Sequence, residues 1–118
     1  MFLVDEMTDG FSFENFCAEI LGKNGFEKIR VTSESGNQEG DILCKKEEVK
    51  YGIQCKCHSK AVGNKAVQEV YAGAKFYSSH VPVVITNGDF IPSAHEAANR
   101  MNVLLWGREK IMKMMNQN

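Results

Sequence analysis

A lysine in the middle of an otherwise apolar strand pattern constrains the fold more than any other feature of the chain. Residues 51–58 read Tyr-Gly-Ile-Gln-Cys-Lys-Cys-His, and alternate residues of a β-strand share a face. One face of this strand would carry Ile53, Cys55 and Cys57, and the other would carry Gln54, Lys56 and His58. Lysine is rarely buried without a partner, so we expect a further polar group to meet Gln54 and Lys56 on their face.

Length and composition predict one domain over residues 1–118. The chain has 118 residues, of which 43% are hydrophobic and 25% charged, as in an ordinary globular domain. It has no apolar run of transmembrane length and no signal-peptide pattern, so we predict a cytoplasmic location without membrane contact. The four cysteines lie inside apolar patterns, which predicts buried thiols rather than disulfides: Cys17, Cys44, Cys55 and Cys57.

Charge is distributed unevenly, although the net charge is only −1. Residues 1–48 carry eleven acids and five bases, whereas residues 49–118 carry nine bases and four acids. This balance argues against a uniformly basic nucleic-acid binder but allows a local basic face, the alternative being a solvated surface. The lysines that could form this face are Lys50, Lys56, Lys60, Lys65 and Lys75.

The hydrophobic periodicity predicts nine elements in the order αβββαβαβα. Helices are expected over residues 11–24, 65–77, 91–100 and 109–115, and strands over residues 26–31, 40–44, 51–57, 81–86 and 102–106. Ser12 or Asp9 would cap the first helix, and Gly25 would end it in a left-handed conformation. This order predicts an α/β fold with a central mixed sheet flanked by helices on both faces.

The second and third strands should form an antiparallel hairpin. If the connection is symmetric about Glu47 and Glu48, with two or four residues, Asp41 lies opposite Gln54 and diagonal to Lys56. An odd loop without a bulge would instead place Asp41 opposite Cys55 and separate it from Lys56. The first register gathers an acid, an amide and a lysine on one face.

Two interpretations of this polar group are possible. The simpler one is an Asp–Lys ion pair on a solvated sheet face. The other is a metal site, because a carboxylate, an amide oxygen and waters are ligands that suit Mg²⁺. A lysine beside such an ion could orient an attacking water or stabilise negative charge, which suits phosphodiester hydrolysis.

Several sequence blocks resemble the Mrr-type endonuclease domain of the restriction endonuclease-like superfamily. The blocks are Gly40-Asp41-Ile-Leu, Gly52-Ile-Gln54-Cys-Lys56 and Val67-Gln68-Glu69-Val70, flanked by Phe13-Glu14, Gly25-Phe26, Val84-Ile-Thr86-Asn87 with Phe90 and Ala94, and Val103-Leu-Leu-Trp106. The resemblance covers residues 11–111 and includes the Gln that replaces the usual acid before the Lys in this branch. The sequence departs from the family at Gln38-Glu39, where a glycine-rich, Asp-containing stretch is common.

The resemblance implies a restriction endonuclease-like fold and a role for each matching residue. Asp41 would ligate the metal with the Gln54 amide oxygen and the backbone carbonyl of Cys55, and Lys56 would position the nucleophilic water. Glu14 matches the first-helix acid that completes such sites, with Glu19 as the alternative. Gln68 and Glu69 match a polar pair near the site on the next helix.

We therefore expect a Mg²⁺- or Mn²⁺-dependent DNA endonuclease of the restriction or DNA-processing type. Phosphate contacts are predicted from Lys60, Lys65 and Lys75. Mrr-like nucleases usually carry a separate DNA-recognition domain, for which 118 residues leave no room, so a further domain or a partner would supply targeting.

Three alternatives remain open at this stage. One is a nuclease resembling Holliday-junction resolvases, which acts as a homodimer on branched DNA. Another is a DNA-binding module that keeps the nuclease fold without catalysis. A zinc site built from Cys44, Cys55, Cys57 and His58 is less consistent, because the spacing is not that of a C-x-x-C knuckle.

Overall fold

A computed structural model describes residues 4, 7, 9–32, 41–57 and 61–116 of the chain. Lys60, a predicted phosphate contact, lies outside the described residues. His58 and the stretch 33–40, which includes Gln38-Glu39, lie outside them too.

The described residues form four helices and five strands in the predicted order αβββαβαβα. The helices are α1 (Gly10–Lys23), α2 (Asn64–Phe76), α3 (Pro92–Met101) and α4 (Arg108–Met115). The strands are β1 (Glu27–Val31), β2 (Asp41–Lys46), β3 (Val49–Lys56), β4 (Val81–Thr86) and β5 (Leu104–Trp106). None of these helices is long and apolar enough to cross a membrane.

The strands form one mixed sheet in the order β1-β2-β3-β4-β5. The first three strands pair antiparallel, whereas β3–β4 and β4–β5 pair parallel through the crossover helices α2 and α3. An apolar layer covers each face. The α1 and α4 helices pack over Ile53 and Cys55, and α2 and α3 pack over Val84. The predicted α/β fold, with a central mixed sheet flanked by helices, is confirmed.

The first helix begins one turn earlier than a Ser12 cap would require. The Asp9 carboxylate accepts hydrogen bonds from the Ser12 backbone N–H at 3.3 Å and from the Ser12 hydroxyl at 2.8 Å. Asp9 is therefore the N-cap, and the Ser12 alternative is wrong. At the other end Gly25 has a φ of 90°, which confirms the predicted left-handed residue.

The β2–β3 hairpin closes with a turn of two residues, Glu47 and Glu48, whose φ angles are 51° and 71°. Both strands extend further toward the turn than predicted, because Lys45 pairs with Lys50 instead of entering a loop. Asp41 lies directly opposite Gln54, so the even-turn register is confirmed and the odd-loop register is wrong.

The turn predicts a stabilising substitution. Glu47→Asn together with Glu48→Gly should raise the free energy of unfolding by about 1–2 kcal/mol, because left-handed backbone is strained for glutamate. Chemical denaturation measures the gain. The matched control, Glu47→Gln with Glu48→Gln, removes the same two charges and keeps the strain. Equal stability of the two double variants would contradict the assignment of strain to this turn.

Candidate active site

Three polar side chains of the β2–β3 hairpin lie on one face of the sheet. Asp41 begins β2 opposite Gln54, and Lys56 follows at the end of β3. Gln54 pairs in β4 with Val84, which packs under α2 and α3, so this face is the one that these helices cover. Burial raises the pKa of Asp41, and the charge of Lys56 opposes part of this shift. The structure thus brings Asp41, Gln54 and Lys56 together.

The α2 helix approaches this group with two residues one turn apart. Glu69 Oε1 lies 3.6 Å from Lys56 Nζ, and the Lys56 side chain is only 17% exposed. Four residues further along α2, a Cβ atom placed on Gly73 would lie 3.3 Å from Asp41 Oδ2. Residues four apart share a helix face, so Glu69 and Gly73 together define the flank of α2 that borders the site. Because glycine has no Cβ atom, the α2 backbone at Gly73 can approach the Asp41 carboxyl closely.

The two acids considered in α1 have different environments. Glu14 is 3% exposed, and its charge raises the pKa of Asp41, although α1 covers the opposite face of the sheet. Glu19 is exposed and pairs with Lys23 at 3.7 Å. Of the two, Glu14 is therefore the acid whose charge reaches the Asp41 group.

Burial and nearby acids raise the pKa of Asp41 above its ordinary value of 3.8. Desolvation is the largest cause, and the Glu14 and Glu69 charges add to it, whereas Lys56 acts in the opposite direction. Lys56 thus compensates only part of the cost of the Asp41 charge. A bound cation would favour the ionised form of Asp41, because opposite charge nearby stabilises a carboxylate.

Gln54 supplies a second candidate ligand. The residue is 8% exposed, and its Oε1 atom is buried without a hydrogen-bond partner. Leaving a buried acceptor unsatisfied costs about 1–3 kcal/mol, so such an atom calls for an explanation. The other such atom in the described part of the chain is Asn87 Oδ1, whose amide nitrogen donates to the carbonyls of Val4 and Met7.

These residues fit a hard divalent cation better than a soft one. Among the described residues there is no group of three His, Cys, Asp or Glu side chains that could hold a metal ion. An oxygen-ligand set of one carboxylate, one amide oxygen and waters still suits Mg²⁺, which keeps several waters when bound. The pairing of β2 with β3 is described up to Asp41–Gln54, and Cys55, the predicted carbonyl ligand, lies one residue beyond that pair.

The remaining predicted residues lie at different distances from this group. Gln68 is exposed and lies about 100° around α2 from Glu69. Lys65 is exposed on the same flank as Glu69, one turn earlier.

Lys75 lies over the Tyr71 ring, 5.2 Å from its centroid, and lines a separate cavity with Arg100. Tyr71 and Lys75 are both about 200° around the helix from Gly73, so Lys75 is directed away from the Asp41 group.

All four cysteines are free thiols; Cys17, Cys44 and Cys55 are buried as predicted, whereas Cys57 is only partly buried. A hydrogen bond with Cys17 and burial raise the pKa of the Cys55 thiol well above its usual range, and burial raises that of Cys44 to about 12. Cys57 contacts the Met7 carbonyl at 3.2 Å. Among the described residues no three His, Cys, Asp or Glu side chains form a group that could hold a metal ion, so these cysteines do not support the zinc alternative.

Gly73 is the site residue that the sequence reasoning missed. One sequence signal for it is its spacing of four residues from Glu69, which places both on one helix flank. A glycine inside a helix is unfavourable by about 1 kcal/mol relative to alanine, so its presence indicates a close approach.

The sheet and its polar group define a restriction endonuclease-like fold, and the sequence assigns the family. It matches the Mrr_cat family, described as "Restriction endonuclease", over residues 4–115. The chain therefore belongs to this restriction endonuclease family. No curated protein matches the sequence.

Solved structures share the fold at low sequence identity. They include the protein of unknown function AF1548 (TM-score 0.66, 22% identity, 83% of this chain) and the DNA modification-dependent restriction endonuclease AspBHI (0.68, 16%, 95%). A third is the MspJI restriction endonuclease in complex with a 27-mer oligonucleotide (0.58, 19%, 93%). The chain spans 57%, 33% and 28% of the lengths of these three chains, respectively.

The raised pKa of Asp41 predicts a pH-dependent effect on stability. A carboxyl whose pKa is higher in the folded state favours folding at acid pH, and this contribution is lost as the pH rises through the folded pKa. In metal-free buffer, Asp41→Asn should therefore raise the melting temperature at pH 7. The gain should shrink toward pH 4, where Asp41 becomes protonated. A lower melting temperature of Asp41→Asn at pH 7 would contradict the net cost of this charge. The matched control, Asp89→Asn, removes an exposed aspartate and should leave the melting temperature unchanged.

Proposed function

We propose that this chain is the catalytic domain of a metal-dependent DNA endonuclease, in which Asp41, Gln54 and Lys56 form the centre. The observation that carries the proposal is the unpartnered Gln54 Oε1 beside a carboxyl with a raised pKa. An ion pair alone would account for Asp41 and Lys56, but it would not explain why the buried Gln54 Oε1 atom has no hydrogen-bond partner. Membership of a restriction endonuclease family supports DNA as the substrate.

The metal in this proposal is Mg²⁺ or Mn²⁺, held by the Asp41 carboxylate, Gln54 Oε1 and the Cys55 backbone carbonyl. When bound, such an ion acts as a Lewis acid toward the phosphodiester and lowers the pKa of a coordinated water. Glu14 is the buried acid that would complete the site from α1, through its charge or a bridging water.

Lys56 positions the nucleophilic water and stabilises the negative charge that develops on the phosphate. The Glu69 carboxylate holds the Lys56 ammonium at the border of α2, which limits the conformations of this long side chain. Gly73 keeps space for the Asp41 carboxyl under the helix. In this proposal Glu69 and Gly73 position the reacting groups and do not touch the substrate.

Several finer features stay predictions from the sequence. These are one domain over residues 1–118, a restriction or DNA-processing role, a cytoplasmic location and a possible homodimer. The two named restriction enzymes are about three times as long as this chain. We propose that a further domain or a partner directs the nuclease to its DNA.

Plasmid cleavage with Mg²⁺ or Mn²⁺ tests the proposal. Wild-type protein should cut, and EDTA should stop cleavage. Asp41→Ala and Lys56→Ala should each lower the rate at least about 100-fold, the loss typical of a group acting on the transition state. Cleavage by both folded variants at the wild-type rate would exclude this site.

Two acids of one helix provide a matched comparison. Glu14→Gln should slow cleavage, because its charge reaches the Asp41 group, whereas Glu19→Gln removes an exposed acid of the same helix and should leave the rate unchanged. Melting temperatures confirm that each variant is folded. Equal rates for Glu14→Gln and wild type would remove Glu14 from the site.

A further inference from the structure

A basic cleft lies on the same face of the sheet as Asp41, next to the proposed centre. Its volume is about 280 Å³, and its lining includes Lys28, Arg30, Lys45, Lys50, Tyr77 and Ser79. No acidic side chain lines the cleft among the described residues. Neither Lys28, Arg30 nor Lys45 was among the phosphate contacts expected from the sequence.

Strand pairing places Arg30, Lys45 and Lys50 on the same sheet face as Asp41 of the proposed centre. Leu43 and Lys45 follow Asp41 at two and four residues along β2, so all three share a face. Arg30 pairs with Leu43, and Lys50 pairs with Lys45, so they extend this face across β1 and β3. At about 3.3 Å per residue along β2, the Arg30–Leu43 pair lies roughly 7 Å from Asp41, and the Lys45–Lys50 pair lies roughly 13 Å from it.

The cleft is open because α2 covers only part of this face. The helix packs over β3 and β4 and ends at Phe76. Tyr77 and Ser79 then form the wall of the cleft. Ser79 packs closely on β3, because a Cβ atom placed on Gly52 would lie 3.2 Å from the Ser79 hydroxyl oxygen. The floor over β1 and β2 stays accessible. A bulge near Lys28, with a φ of 53°, accompanies the register shift in β1.

The charges of the cleft are mostly available for a ligand. Lys28, Arg30 and Lys50 are exposed and form no ion pair with another described residue. Lys45 pairs with Glu48 at 3.3 Å, but Glu48 is 89% exposed, and such surface pairs contribute little. Glu27 lies opposite Lys45 in β1, outside the cleft lining, so the excess positive charge comes mainly from Lys28, Arg30 and Lys50. This excess favours a polyanion.

An exposed aromatic side chain lies at the rim. The Phe76 side chain is 80% exposed, and its ring makes an edge contact with the ring of Tyr77 at 5.0 Å between centroids. Phe76 follows Gly73 by three residues, so it lies on the flank of α2 that borders Asp41. A basic groove with an aromatic group at its edge is a combination that binds nucleic-acid strands.

We infer that Lys28, Arg30, Lys45 and Lys50 hold the phosphate backbone of DNA and lead one strand to the Asp41–Gln54–Lys56 centre. At these distances from Asp41, the cations contact phosphates within about four nucleotides of the cleaved bond. Such contacts set the position of DNA and carry no sequence information. This inference rests on the proposed nuclease function.

Binding measurements with a fluorescein-labelled DNA duplex in EDTA test the cleft separately from cleavage. The triple variant Lys28→Gln/Arg30→Gln/Lys50→Gln should bind at least about 10-fold more weakly at low salt. Its plot of log affinity against log salt should be less steep by about 2.7, or 0.9 for each lost phosphate contact. The matched control, Lys23→Gln/Lys110→Gln/Lys113→Gln, removes three charges from α1 and α4 on the opposite side and should bind like wild type.

The outcomes separate the two proposals. If wild type cuts plasmid and the cleft variant binds as well as the control, the cleft assignment is wrong and the nuclease function stands. If wild type neither binds nor cuts DNA, both fall together. Should the triple variant fail to fold, the single exposed variants Arg30→Gln and Lys50→Gln carry the same test, each with a slope change of about 0.9.

Discussion

The pairing of Asp41 with Gln54 across the β2–β3 hairpin fixes which side chains meet at the proposed centre. A shift of the register by one residue would turn Asp41 toward the α1 face and separate it from Lys56. The two-residue turn at Glu47 and Glu48 prevents this shift, although both residues adopt a strained conformation. The strained turn lowers the local stability of the hairpin but fixes the position of the Asp41 carboxyl, and such strain is common at functional sites.

The proposed centre contains more acidic than basic side chains: Asp41, Glu14 and Glu69 against Lys56. Burial raises the pKa of Asp41, and the charges of Glu14 and Glu69 raise it further, whereas Lys56 offsets only part of this effect. A divalent cation would relieve this excess of negative charge and would give the Gln54 oxygen a partner. The arrangement is therefore easier to explain as a metal site than as a set of structural ion pairs.

The sequence predicted the elements that depend on local pattern and missed features set by packing. Alternation in β3 predicted that Gln54 and Lys56 share a face, whereas the Asp41–Gln54 register also required an even-residue turn, which the sequence left open and the structure shows. The choice between Glu14 and Glu19 was open, because it depends on how α1 packs against the sheet. The sequence did not show which flank of α2 faces Asp41, because that depends on the close approach of Gly73 to the Asp41 carboxyl. Lys75, a predicted phosphate contact, lies about 200° around the helix from Gly73. The cations of β1 reach the cleft only through strand pairing across a bulge.

Calorimetric titration with Mn²⁺ in the absence of DNA measures whether Asp41 and Gln54 hold a divalent cation. Wild-type protein should bind Mn²⁺, and Asp41→Asn and Gln54→Leu should each weaken this binding. The first change replaces a charged carboxylate ligand by a neutral amide, and the second removes an amide oxygen. Glu19→Gln, which removes an exposed acid of α1, should bind as wild type does. Equal Mn²⁺ affinity in wild type, Asp41→Asn and Gln54→Leu would contradict a metal centre at this hairpin.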